Sequence, residues 1–289
     1  YTAEKKNGKW IADVVYSMHK KPGVFYAHAY ADGKYLTGCS FNFYFTDVNS
    51  AWSSDYVAHA NGGIGSSTYT NSVEALELSY LNGRRSVEVD FSYTSDGIIV
   101  LHHGWDLKNT DLPAGYIPTF AEYMSQKING QYSPMSLEDL LYYMIEHEDL
   151  WIITDSKTFG EDDLLRCFND VYKLAYSMRA TEVLDRFVIQ IYDKYDVSRL
   201  RGIYPFENII LTTYTSWDGT ANSFESFCSY CRANKISSIV MPYERYNAQV
   251  QKIANRYGIV IYLHTINDNN RANSYFTTGG RGIYTDFIL

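Results

Sequence analysis

The sequence predicts an α/β protein built as a closed (β/α)8 barrel, and three observations carry that prediction. From Tyr56 onward, short β-branched or apolar runs alternate with longer amphipathic ones, the rhythm of repeated βα units. The short runs number eight, at 56–60, 86–92, 150–155, 187–192, 208–213, 237–241, 258–262 and 282–285, which is the count that closes a barrel. Polar residues recur at the same end of successive runs: His59, then Glu88 and Asp90, then Asp155 and Lys157, then Gln190. In such barrels the chemistry sits at that end, where strands lead into helices.

Residues 1–54 differ from the rest of the chain, being polar, tyrosine-rich and broken by Gly and Asn. They are expected to form an N-terminal extension packing on a barrel domain of residues 55–289. Asn71-Ser72 ahead of Val73–Leu78, with Gly83 beyond, reads as an N-cap and a glycine terminator of the first helix. The second strand carries Glu88 and Asp90 on one face and Val87, Val89 and Phe91 on the other, because strand side chains alternate. Asp96-Gly97 is then the tip of a hairpin whose return arm, Ile98–Leu101, leads into His102-His103. Taken alone, the alternation is better matched by a half-exposed antiparallel strand, which shows the same pattern. Polar residues at the neighbouring strand ends favour the functional reading.

Residues 104–134, with Pro113, Pro118 and Pro134, interrupt the rhythm after this hairpin and read as an insertion positioned to cap a site. Ser136 opens the next helix, with Asp139 three residues on in a capping-box relation. Further helices are expected at 161–179, 194–201, 221–234, 244–256 and 268–275.

With 289 residues, 46% of them hydrophobic and 16% aromatic, the chain can bury a large core, which argues against global disorder. A net charge of −8 argues against a sequence-independent grip on nucleic acid, which needs Lys and Arg to neutralise phosphates. A small phosphate-bearing substrate stays compatible, because a local lysine or metal overrides global charge. No apolar run is long enough for a transmembrane segment. The chain begins at Tyr1 without a signal-peptide pattern, which suggests a removed N-terminal piece and an extracytoplasmic location. Four cysteines are too few for a disulfide scaffold, and Cys228-x-x-Cys231 reads as core.

Two carboxylates on one strand face repel unless a cation, a proton or solvent compensates them, so Glu88 and Asp90 beside an imidazole suggest a hard divalent ion. The ordered motifs are His59-Ala60-Asn61-Gly62-Gly63, Thr70-Asn71-Ser72-Val73-Glu74-Ala75, Glu88-Val89-Asp90, Asp96-Gly97 and Val100-Leu101-His102-His103. Beyond them come Ile153-Thr154-Asp155-Ser156-Lys157 and Gly282-Ile283-Tyr284-Thr285-Asp286. Together, from about Asp55 to Phe287, they resemble the glycerophosphodiester phosphodiesterase family, whose fold is a TIM barrel.

The resemblance implies that His59 and His103 are the general acid and base, and that Glu88, Asp90 and Asp155 bind one divalent cation, Ca²⁺, Mg²⁺ or Mn²⁺. It implies a small glycerophosphodiester as substrate, cut to glycerol 3-phosphate or a cyclic phosphate plus an alcohol. Lys157, on the same strand face as Asp155, is positioned to hold a phosphate oxygen. Asn61, Gln190, Trp105 and His264 complete the expected substrate side, while His102 should face away from His103 and be structural. Ala60 stands where the family has Arg, Asp155 where it has Glu, Gly104 where it has Asp, and His264 where a Trp is common. Two rival readings stay open: phospholipase C- or D-like cleavage of an intact lipid, and a non-catalytic binding relative.

Overall fold

The structure, a computed structural model, describes strand backbone within residues 4–43, then Trp52 and residues 54–157, 161–215 and 217–288. The first part holds two antiparallel hairpins, β1 (Glu4–Lys6) with β2 (Lys9–Ile11) and β3 (Gly23–Ala31) with β4 (Lys34–Phe43). How residues 1–51 pack lies outside the described residues. Trp52, in the expected extension, is buried, stacks on Tyr262 with ring centroids 5.1 Å apart, and accepts a hydrogen bond from Ser86 Oγ at 2.7 Å through its carbonyl.

Eight parallel strands close on themselves, as the sequence predicts. They are β5 (Tyr56–Ala58), β6 (Ser86–Tyr93), β8 (Trp151–Ser156), β9 (Phe187–Ile191), β10 (Asn208–Thr212), β11 (Ser238–Pro242), β12 (Val260–His264) and β13 (Gly282–Thr285). Closure is made by β13 on β5, with Tyr284 opposite Val57. The predicted hairpin is present: β7 (Ile99–Leu101) runs antiparallel along the end of β6, pairing Phe91 with Leu101.

Inside the barrel, Val57, Ile153, Val188, Ile210, Val240, Tyr262 and Tyr284 form one apolar cluster with Trp52. Strand β6 offers Glu88 and Asp90, while Val87, Val89 and Phe91 join Leu76, Leu140 and Phe168 in the strand–helix core. Every residue from Ser86 to Ser92 is buried, which excludes a half-exposed strand. Each large apolar side chain so buried contributes about 1.5–3 kcal/mol, and these layers offset the cost of holding carboxylates inside.

The helices are α1 (Val73–Leu81), α2 (Phe120–Met124), α3 (Leu137–Glu146), α4 (Glu161–Ser177), α5 (Asp196–Leu200), α6 (Ala221–Ala233), α7 (Ala248–Tyr257) and α8 (Asn269–Thr277). Ser72 caps α1 by accepting from Ala75 N, and Ser136 with Asp139 forms a reciprocal capping box on α3. Cys228 and Cys231 are buried on α6. Among the described residues, no helix is long and apolar enough to cross a membrane.

Three elements differ from expectation. Helix α2 was not anticipated within 104–134, because five residues show no helical period; a Thr119–Glu122 capping box builds it, and Tyr123 anchors it by donating to Leu101 O at 2.8 Å. Helix α7 starts later than residue 244, where Asn247 accepts from Gln249 N and Val250 N. Strand β5 ends at Ala58 instead of Ala60, since His59–Asn61 forms a 3₁₀ turn with positive φ at Ala60 (49°) and Asn61 (69°). Gly62 completes this turn at φ 90°, and a Cβ there would collide with Ser79 Oγ, so the position favours glycine.

Candidate active site

Strands β6 and β8 pair in parallel with Asp90 opposite Asp155. One carboxylate oxygen from each of Glu88, Asp90 and Asp155 lies within 4.8 Å of the others, and all three residues are buried. Lys157 Nζ stands 2.9 Å from Asp90 Oδ1 and 2.7 Å from Asp155 Oδ2. The Ala60 turn aims its backbone N–H at Glu88 Oε2, 2.7 Å away. Asn71 grips Asp90 twice, donating from Nδ2 to Oδ2 at 2.7 Å and accepting from the Asp90 N–H at 3.0 Å. Tyr192 OH donates to Asp155 at 3.1 Å.

Burial and the neighbouring Asp90 charge push the Glu88 carboxyl up to about 8, against the pull of His59 and Lys157. Burial acts to raise Asp90 as well, but Lys157, His103, the Asn71 hydrogen bond and His59 together hold it below its ordinary value. One ammonium thus faces three carboxylates. Asp90 Oδ1 has Lys157 as its ion-pair partner and no further hydrogen bond among the described residues. A buried set of hard oxygen donors with surplus negative charge fits a divalent cation such as Ca²⁺ or Mg²⁺.

Two histidines flank this triad. His59 is 3% exposed and its Nδ1 lies 2.9 Å from Asp286 Oδ1, a contact made because β13 closes against β5. Burial works to lower its pKa, but the Asp286 hydrogen bond and the charges of Glu88, Asp286 and Asp90 outweigh it and raise the value. His103 shifts the other way: burial lowers it, reinforced by Lys157 and His59. The Tyr69 ring stands edge-on between them, 4.6 Å from His59 and 4.7 Å from His103 by ring centroids.

Of the residues the sequence nominated, His59, Glu88, His103, Asp155, Lys157, Gln190 and His264 line one cavity of about 180 Å³, with Asp90 buried beside it. Lys157 is the one cationic Lys or Arg on that wall among the described residues. His103, Lys157, Gln190, Tyr192 and Tyr214 also border an adjoining cleft of about 1190 Å³. Trp105 lines that cleft and not the smaller cavity. Asn61 reaches neither wall: it is fully buried and donates to Ser72 O at 3.1 Å, so its amide fastens the turn. His102 is buried, bonded through Nε2 to Asn109 Oδ1 at 2.9 Å and stacked on Trp105.

Sequence reasoning missed Tyr69, Asn71, Tyr192, Tyr214 and the role of Asp286. Asn71 and Asp286 lie inside motifs already singled out, so their positions were available as a signal. The tyrosines were not separable by pattern from the chain's other aromatic residues.

Three buried carboxylates that could hold a metal ion and two imidazoles gather at the C-terminal mouth of a parallel barrel, the end at which such barrels carry their chemistry. Residues 62–289 match the glycerophosphoryl diester phosphodiesterase family, and the chain belongs to that family. Its fold is similar to that of an Oleispira antarctica phosphodiesterase solved with the product sn-glycerol-3-phosphate, at 16% identity and TM-score 0.64 over 82% of this chain and 94% of that one. A Parabacteroides distasonis glycerophosphodiester phosphodiesterase shares 16% identity at TM-score 0.61, over 81% and 93% of the two chains. A Thermotoga maritima glycerophosphodiester phosphodiesterase shares 18% identity at TM-score 0.56, over 81% and 94%. No curated protein matches the chain.

Proposed function

We infer that this enzyme cleaves a glycerophosphodiester with a divalent cation held by Glu88, Asp90 and Asp155, using His59 as general acid and His103 as general base. The observation that carries this reading is that both imidazoles border the carboxylate cavity on opposite sides of Tyr69, in environments that push their pKa values apart. Groups so separated divide acid and base work between them. A bound cation would neutralise phosphate charge and stabilise what develops in the transition state.

His103, with no hydrogen-bonded carboxylate among the described residues and open to the larger cleft, takes the proton of the attacking hydroxyl. The bond from phosphorus to the departing alcohol breaks, and His59, kept protonated by Asp286, gives its Nε2 proton to the leaving oxygen. Lys157 is near enough to the carboxylates to meet a phosphate oxygen beside them and to supply the charge that arginine would give at position 60. If water attacks, the product is glycerol 3-phosphate; if the substrate's neighbouring hydroxyl attacks, it is a cyclic phosphate.

A second reading, cleavage of an intact lipid, draws support from the size of the adjoining cleft and from Leu107, Ile117 and Leu164 on its wall. Assays on glycerophosphocholine, glycerophosphoinositol, lysophosphatidylcholine and bis(p-nitrophenyl) phosphate, each with and without chelator, separate the two. The expected result is chelator-sensitive turnover of the glycerophosphodiesters. His59→Ala should lose far more activity on the alkyl diesters than on the p-nitrophenyl ester, whose phenolate leaves without a proton. Preference for the lysolipid would favour the second reading, and undiminished alkyl-diester activity in His59→Ala would contradict the acid assignment.

A further inference from the structure

His264 stands where a substrate-binding group was expected, yet both its ring nitrogens are already engaged. Its Nε2 is 3.2 Å from His59 Nε2, and its Nδ1 is 3.0 Å from Tyr214 OH. These contacts continue the 2.9 Å bond from Asp286 to His59 into a chain of four groups. The inner end is buried: His59 is 3% exposed and Asp286 meets it through a side chain only 4% exposed. The outer end, Tyr214, is 38% exposed and borders the large cleft. His59 therefore has a wired route to the cleft that does not pass through the carboxylates.

The same heavy atoms accommodate both protonation states of His59. When His59 is neutral, its Nδ1–H donates to Asp286, and its Nε2 accepts from His264 Nε2–H, whose Nδ1 accepts from Tyr214 O–H. When His59 is protonated, its Nε2–H donates to His264 Nε2 until a leaving oxygen takes that place, and His264 Nδ1–H donates to the Tyr214 oxygen. Passing from the first state to the second moves the Tyr214 proton to His264 Nδ1 and the His264 Nε2 proton to His59 Nε2. A proton from cleft water restores the tyrosine hydroxyl, so one proton enters and none is left over. A histidine is suited to this because each neutral tautomer donates at one nitrogen and accepts at the other.

We propose that His264, with Tyr214, is a proton-relay residue that reloads His59 from the cleft between turnovers. It acts through His59 and does not itself touch the scissile bond. His264 is faced by His59, Tyr214 and Tyr284, with Lys157, Asp286 and Asp90 as the nearby charges. Burial of the ring, with the charges of His59 and Lys157, favours the neutral imidazole that the relay requires, against the opposing pull of Asp286 and Asp90.

This inference rests on His59 being the acid, so the two are tested together but read separately. With glycerophosphocholine as substrate and the cation-loaded enzyme, His264→Ala should lower kcat by roughly 10- to 100-fold. Added imidazole should restore several-fold of that loss, which a merely structural role would not allow. Tyr214→Phe, which keeps the ring, should lower kcat several-fold with KM little changed, and it decides the matter if His264→Ala fails to fold. A wild-type kcat in His264→Ala, an imidazole-insensitive loss in the folded variant, or an unchanged kcat in Tyr214→Phe would each overturn the relay. Wild-type activity in His59→Ala would instead remove the proposed acid itself.

Discussion

His59 Nδ1 and Asp286 Oδ1 meet at 2.9 Å although 227 residues separate them in sequence. Barrel closure makes the pair, since β13 delivers Thr285 beside Ala58 and leaves the next residue at the same mouth. A carboxylate on Nδ1 fixes the tautomer and stabilises the imidazolium that a general acid needs. Asp286→Asn should therefore reduce kcat by roughly 10²- to 10⁴-fold on alkyl diesters with a much smaller change in KM. Steady-state kinetics on glycerophosphocholine check this, and a change confined to KM would argue against the pairing's role.

Lys157 holds Asp90 and Asp155 together at 2.9 and 2.7 Å. Removing one partner of a buried ionic cluster leaves charge uncompensated. Lys157→Met should cost about 3–5 kcal/mol in the chelated protein, measured by urea denaturation. Saturating divalent cation should recover part of that loss while activity stays low.

Asn71 is fully buried with φ 47° and uses both ends of its amide on Asp90. Asn71→Ala should cost about 1–3 kcal/mol of stability. Loss of a partner that orients a ligand typically weakens metal affinity by roughly 10- to 100-fold, and calorimetric titration with the cation reads that change.

Much of this was legible in the sequence. Eight apolar runs located all eight strands, and period two assigned Glu88 and Asp90 to one face and Val89 and Phe91 to the other. The period did not say that both faces would be buried, because that depends on closure and on the helices outside. The end of β5 was misread because Ala60 gives no sign of its positive φ, which arises from the turn that brings its N–H to Glu88. Asp286 was visible in a motif without a role, since its partner is chosen by which strands become neighbours. Asn61 looked like a phosphate contact by position, but it is fully buried and its Nδ2 donates to Ser72 O.

The elevated Glu88 pKa gives a signed prediction for the cation-free protein. The folded state keeps this proton over the interval from 4.5 to about 8, where the unfolded chain loses it, so folding binds protons there. Stability of the chelated protein should be greatest, as far as this group governs it, below the unfolded value and should fall as pH rises through that interval. Divalent cation should flatten the slope near neutral pH and add about 2.7 kcal/mol at a hundredfold excess over Kd. Thermal melts across this range with chelator and with cation provide the check.

Metal content and turnover measured on the same samples test the account most directly. Wild-type protein dialysed against Ca²⁺, Mg²⁺ or Mn²⁺ should retain one ion per chain and hydrolyse glycerophosphocholine, whereas folded Glu88→Gln should lose most of both. Full turnover by wild-type protein from which chelation has removed all metal, or undiminished turnover by Glu88→Gln, would contradict a cation site built from Glu88, Asp90 and Asp155.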